Sequence, residues 1–220
     1  MRTLCFLSLA VTMCLLVAIP ASADPLLYSN GPVNGNETAF TINFGYQVTD
    51  SFTLSSASTI TGADFAVWLF TVESGVDQMT NVDWMITTSA LGGITEGSGT
   101  DVPVTSTPIA GLQPNTFGYY VDTESFSIPS LSLAAGPYWF ELQNAVSENS
   151  EPVFWDENDG PSMAWDSGIG NLNGFSGSGL SGSETFDIYG TATTVPEPTS
   201  LLLLGTGLAG IGLAAWRRRK

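Results

Sequence analysis

The sequence predicts an all-β chain: an antiparallel two-sheet β-sandwich of jelly-roll type, preceded by a signal peptide and followed by one C-terminal transmembrane helix. Three observations carry this prediction. Apolar and polar residues alternate with period two, as in Phe40, Ile42, Phe44, Tyr46 and Val48 against Thr41, Asn43, Gly45 and Gln47, which marks a half-buried strand. Clusters of Gly, Pro, Asn, Ser and Thr cut the chain into short segments. No stretch of the body shows a helical period, and roughly ten short strands in one chain of this size favour two packed sheets.

The elements follow in order. Met1 to Ala23 has one early charge, Arg2, an apolar run from Leu4 to Ile19, and small residues at Ala21 and Ala23. This is the pattern of a secretory signal peptide with its cleavage site. The body spans 24–190. Within it 40–48 reads as one alternating strand, and 63–72 (ADFAVWLFTV), apolar on both faces, as a central strand. Segments 82–88, 117–121, 138–142 and 186–189 follow the same logic. Trp68, Trp84 and Trp139 lie inside such strands and read as core. The Gly/Ser-rich stretch 171–183 is a loop or hairpin. Residues 191–198 form a linker containing Pro-Glu-Pro, 199–216 the transmembrane helix, and 217–220 a basic cytoplasmic tail.

Charge narrows the function classes. All five bases, Arg2, Arg217, Arg218, Arg219 and Lys220, lie in the terminal segments, while all 21 acids lie between Asp24 and Glu197. A body without Lys, Arg or His cannot grip phosphate by ion pairs, so nucleic-acid binding is not expected. Divalent cations are the natural counter-ions of such a surface. Both cysteines, Cys5 and Cys14, fall in the signal peptide. The body therefore has no disulfide, no thiolate and no Cys or His zinc site. Ser–His triads and lysine Schiff bases are excluded on the same ground.

At the C-terminus, Leu201 to Trp216 is uncharged. At about 1.5 Å per residue it spans roughly 24 Å, slightly short of a ~30 Å hydrocarbon core. Snorkelling of the flanking arginines or slight bilayer thinning meets that mismatch. Arg217, Arg218, Arg219 and Lys220 stop the helix on the cytoplasmic side, so the body lies across the membrane, as the signal peptide requires. Pro196, Glu197 and Pro198 keep the preceding peptide extended, because proline disfavours helix at and before its own position. Val-Pro-Glu-Pro-Thr-Ser, the Leu/Gly-rich span and the basic tail, in that order over 195–220, resemble the PEP-CTERM sorting signal. The resemblance implies a Gram-negative bacterium that makes exopolysaccharide, and an exosortase-type processing enzyme as partner. It implies cleavage near Pro196–Pro198, then a place at the cell surface or outside it.

The stretch 153–168 (VFWDENDGPSMAWDSG) concentrates two tryptophans and four acids between turn residues. Trp155 and Trp165 are candidates to stack on sugar faces, with Asp156, Asp159 and Asp166 accepting hydroxyl hydrogen bonds. The alternative is that the tryptophans are core and the acids turn formers. Asp156 to Gly160 is rich in oxygen ligands, but an EF-hand needs glycine sixth and glutamate twelfth. Here Gly160 is fifth and Ser167 twelfth, so Ca2+, the one cofactor in view, would take an irregular site. Asp166-Ser167-Gly168 lacks the second such loop an aspartic protease requires. The function expected is a non-enzymatic surface or extracellular-matrix protein associated with exopolysaccharide. Two alternatives stay open: a carbohydrate- or calcium-dependent binding module, and a secreted carboxylate-based hydrolase with two acids facing each other in one cleft.

Overall fold

The computed structural model describes residues 24–73, 75–167, 178–179 and 182–193. The expected signal peptide, the Pro-Glu-Pro motif, the apolar span and the basic tail lie outside the described residues, as does most of 171–183. No helix among the described residues is long and apolar enough to cross a membrane.

The described chain is all strand and connection. Its elements are β1 (Leu26–Ser29), β2 (Ala39–Thr41), β3 (Gln47–Leu54), β4 (Ser58–Leu69), β5 (Thr71–Val72), β6 (Gly75–Val76), β7 (Met79–Ser89) and β8 (Gly92–Pro103). They continue with β9 (Thr105–Pro108), β10 (Tyr120–Leu133), β11 (Gly136–Ser147), β12 (Phe154–Asn158), β13 (Trp165–Asp166), β14 (Ser178–Gly179), β15 (Ser183–Glu184) and β16 (Phe186–Ala192). One sheet has the order β1-β16-β4-β10-β9, and β12 joins it along the rest of the β4 edge, pairing also with β2 and β15. The other sheet has the order β14-β13-β3-β11-β7-β8, and β5 and β6 form a separate ribbon. Every pairing is antiparallel.

One core joins the two sheets. Phe65 and Val67 of β4, Trp155 of β12 and Phe186 of β16 meet Val48 and Phe52 of β3, Trp84 of β7 and Phe140 of β11. Phe140 lies against Trp155 at 5.7 Å and 85°, and against Phe186 at 5.3 Å. Each such ring contributes roughly 1.5–3 kcal/mol by leaving water, and tilted or edge-on contacts add to that. The doubly apolar run of β4 has a physical cause. Its inward side chains enter this core, while Ala66 and Trp68 on the other face are covered by Val33, Ile109, Leu112 and Tyr119.

Three expected strands are corrected. The central strand of 63–72 ends at Leu69, and 71–72 belong to the separate β5–β6 ribbon. Residues 40–48 are not continuous: β2 ends at Thr41, and Tyr46 N–H bonds back to the carbonyl of Asn43 at 3.1 Å. Phe44 and Gly45 take positive φ of 55° and 87° there. Here the chain passes from one sheet to the other, so Ile42 and Val48 both reach the core while Phe44 is 56% exposed. The apolar rhythm survives the break, which is why it reads as one strand. Residues 117–119 are likewise loop. Asn115 holds it, accepting from Phe117 N–H and Tyr119 N–H and donating to the Gly35 carbonyl.

Candidate functional site

The residues expected to form a ligand face are dispersed. Trp155 is fully buried and donates from Nε1 to the Thr185 carbonyl at 2.8 Å. Its ring is therefore part of the core and offers no face to a sugar. Asp156, the next residue on β12, points to the opposite side of the sheet and is also fully buried. It accepts from Trp68 Nε1 at 2.6 Å, Thr185 Oγ1 at 2.9 Å and Gly35 N–H at 3.2 Å. Burial pushes its carboxyl up, and those bonds pull it back. Asp159 is exposed at the turn after β12. Trp165 and Asp166 are half-buried on β13, beside Thr49 and Val48 of β3. Direct partners share a face, so Trp165 lies on the outer side and Asp166 on the core side. Trp139, expected in the core, is also half-buried on that outer side, because Tyr138 and Phe140 take the inward positions. Asp156 to Asn158 form a strand rather than a calcium loop.

Two other arrangements of acids emerge. The first borders a pocket of about 330 Å³ between the 29–33 segment and the outer face of the β4–β16 pair. Asp64 and Asp187 are direct cross-strand partners there, so their Cβ atoms lie about 4.5–5.5 Å apart. Tyr189 Oη donates to Asp187 Oδ2 at 3.3 Å, and Asp187 Oδ1 has no partner. Burial raises the Asp64 carboxyl, Tyr189 lowers it, and the Asp187 charge raises it again. Burial and the two aspartates push the Tyr189 phenol well up. Thr123 and Thr185 add hydroxyls to the lining.

The second arrangement is internal. Glu157 on β12 and Glu184 on β15 are direct partners, two residues from Trp155 and Phe186 and so on the core-facing side. Asp50 of β3 faces them from the other sheet. It accepts from Asn30 Nδ2 at 2.8 Å, Glu184 N–H at 2.7 Å and Ser183 Oγ at 3.2 Å. Glu184 is fully buried with neither carboxyl oxygen partnered, and Glu157 Oε2 is unpartnered as well. Burial, then the charges of Asp50, Glu157 and Asp156, hold Glu184 well above the usual carboxylate range.

None of these five acids and tyrosine stood out in the sequence. Asp64 left the clearest trace, as a lone acid inside the apolar run 63–72. Glu157 was legible only as part of the 153–168 cluster. Asp187, Tyr189 and Glu184 carry no local signal, because register alone brings them to their partners.

The described body is thus an all-β, antiparallel domain whose sites are built from carboxylates and hydroxyls. Beyond it, the family model of the PEP-CTERM protein-sorting motif matches residues 194–220. That segment matches as the sequence resemblance implied, and the motif makes this an exported, exosortase-targeted bacterial protein directed toward the cell surface. No curated protein matches the chain.

Proposed function

We propose that the protein is a non-enzymatic component of the surface or extracellular matrix of a Gram-negative bacterium, associated with exopolysaccharide. The observation that carries this reading is the sorting motif at 194–220. The body supports it by what its composition withholds: no His, Cys, Lys or Arg is present between Asp24 and Glu197, which removes most nucleophilic and electrophilic chemistry. The C-terminal span anchors the protein in the inner membrane until the processing enzyme cuts near Pro196–Pro198. Replacing Pro196 and Pro198 by alanine then leaves full-length protein in the membrane fraction. Unchanged release would overturn the processing step.

A second reading rests on the Asp64–Asp187 pocket. Two half-buried aspartates, with Thr123 and Thr185 on the same lining, suit the hydroxyls of a neutral polysaccharide. Binding to a panel of polysaccharides, the host's own included, is expected to weaken about tenfold or more in Asp187→Asn. Paired carboxylates are also what a glycoside hydrolase uses. Turnover of a bound polysaccharide that vanishes in Asp64→Asn would replace binding by hydrolysis.

A further inference from the structure

Nine acids are buried among the described residues, including Asp50, Glu157 and Glu184, in a body that supplies no cationic side chain. A buried carboxylate needs a counter-charge and partners for its oxygens. Asp50 has its partners: Ser51 N–H at 2.6 Å completes the set described above. Asp156 has them too. Glu184 has none, on either oxygen, although it is fully buried, paired with Glu157 and within reach of the charge of Asp50.

A proton alone does not resolve this. It would remove the charge of Glu184, but a protonated carboxyl carries an O–H that itself needs an acceptor. Its remaining carbonyl oxygen would still need a donor, and neither oxygen of Glu184 has one. A hard cation satisfies both needs at once. We propose that Glu157 and Glu184 hold a calcium ion at this end of the inter-sheet space, with Asp50 as a further negative charge facing it. Two bidentate carboxylates supply four of the roughly six to eight oxygens calcium takes. No three acidic side chains among the described residues already converge as a metal site, so hydroxyl, main-chain or water oxygen must complete the shell. Ser183, beside Glu184 and within 3.2 Å of Asp50 Oδ2, is placed to contribute. From the 156–160 stretch whose composition drew attention in the sequence this site takes Glu157 alone; Asp159 has no part in it.

The test uses the full-length chain in detergent, freed of metal by a chelator, at pH 7.5, with calcium chloride alone as the probe. Calcium is expected to bind one saturable site and raise the Tm, with a Kd no weaker than the ~10⁻⁴–10⁻³ M of extracellular calcium modules. Glu157→Gln and Glu184→Gln should each weaken binding at least tenfold, while Asp159→Asn should not. Should either glutamine variant fail to fold, terbium serves on the unaltered protein. Its emission, excited through Trp155 two residues from Glu157, is expected to appear and then be displaced by calcium. Absence of saturable binding would overturn the proposal. So would equal weakening by Asp159→Asn, which would mean that calcium merely screens the surface.

Discussion

Glu124 and Glu141 make the stability of this protein depend on pH in the direction opposite to ordinary acid denaturation. Glu124 is fully buried on β10 and its two carboxyl oxygens accept from Ser106 Oγ at 2.8 and 2.6 Å. Glu141 is buried on β11, accepts from Gln47 Nε2, and leaves Oε2 unpartnered. Burial pushes each from 4.5 up to about 7. A carboxyl raised on folding binds its proton more tightly in the native state, so stability falls with rising pH. The contribution is intact below about 4.5 and is lost as pH climbs to about 7. Each group is worth on the order of 3 kcal/mol across that window. Asp77 works the other way: burial raises it, but bonds from Gln78 N–H, Asn149 N–H and the Asn149 side chain bring it below the ordinary value. Its stabilisation is therefore lost only in stronger acid, below the window. Urea unfolding at pH 5 and pH 8, with chelator and enough salt to screen surface repulsion, should show the protein several kcal/mol more stable at pH 5. Glu124→Gln and Glu141→Gln should each remove about 3 kcal/mol of that difference. A stability maximum at neutral pH, or a pH slope unmoved by both glutamine variants, would refute the reasoning.

Two further perturbations test the packing. Trp155→Ala removes the ring that touches Phe65, Phe140 and Phe186; it should destabilise by about 3–5 kcal/mol, read from the denaturation midpoint, where a loss below 1 kcal/mol would contradict core placement. Gly190→Ala places a Cβ 2.1 Å from the Thr59 carbonyl at a φ of +158°, so it should lower the Tm by several degrees, whereas alanine at Gly45, where φ is +87° but nothing lies within 4 Å, brings backbone strain without a clash.

The fold class was legible because strand alternation and turn residues are local signals. The central strand was found over 63–69 of the expected 63–72, and the strands near 82–88, 138–142 and 186–189 were found for the same reason. The break at 43–46 was not, since Ile42 and Val48 keep the rhythm across a change of sheet. Tryptophans misled in both directions. Trp155 sits among turn residues and acids yet fills the core, while Trp139 sits in an apolar strand yet faces outward. One position of strand phase decides each, and neighbours in sequence do not reveal it. The paired acids were hidden for a stronger reason: Asp64 with Asp187, and Glu157 with Glu184, meet across pairings that span long stretches of chain.

β16 lies between β1 and β4, and its Gly190 N–H bonds to the Pro25 carbonyl beside the start of β1. The sorting segment follows directly after this strand. Under the proposed anchoring through that segment, any drag on the body is transmitted as tension along β16. Ladder bonds in an antiparallel pair run perpendicular to the strand, so a pull along β16 shears the bonds to both neighbours together instead of opening them one after another. The strand nearest the tether is thereby the one gripped on both sides, a mechanical arrangement suited to a domain held at a surface by its C-terminal end.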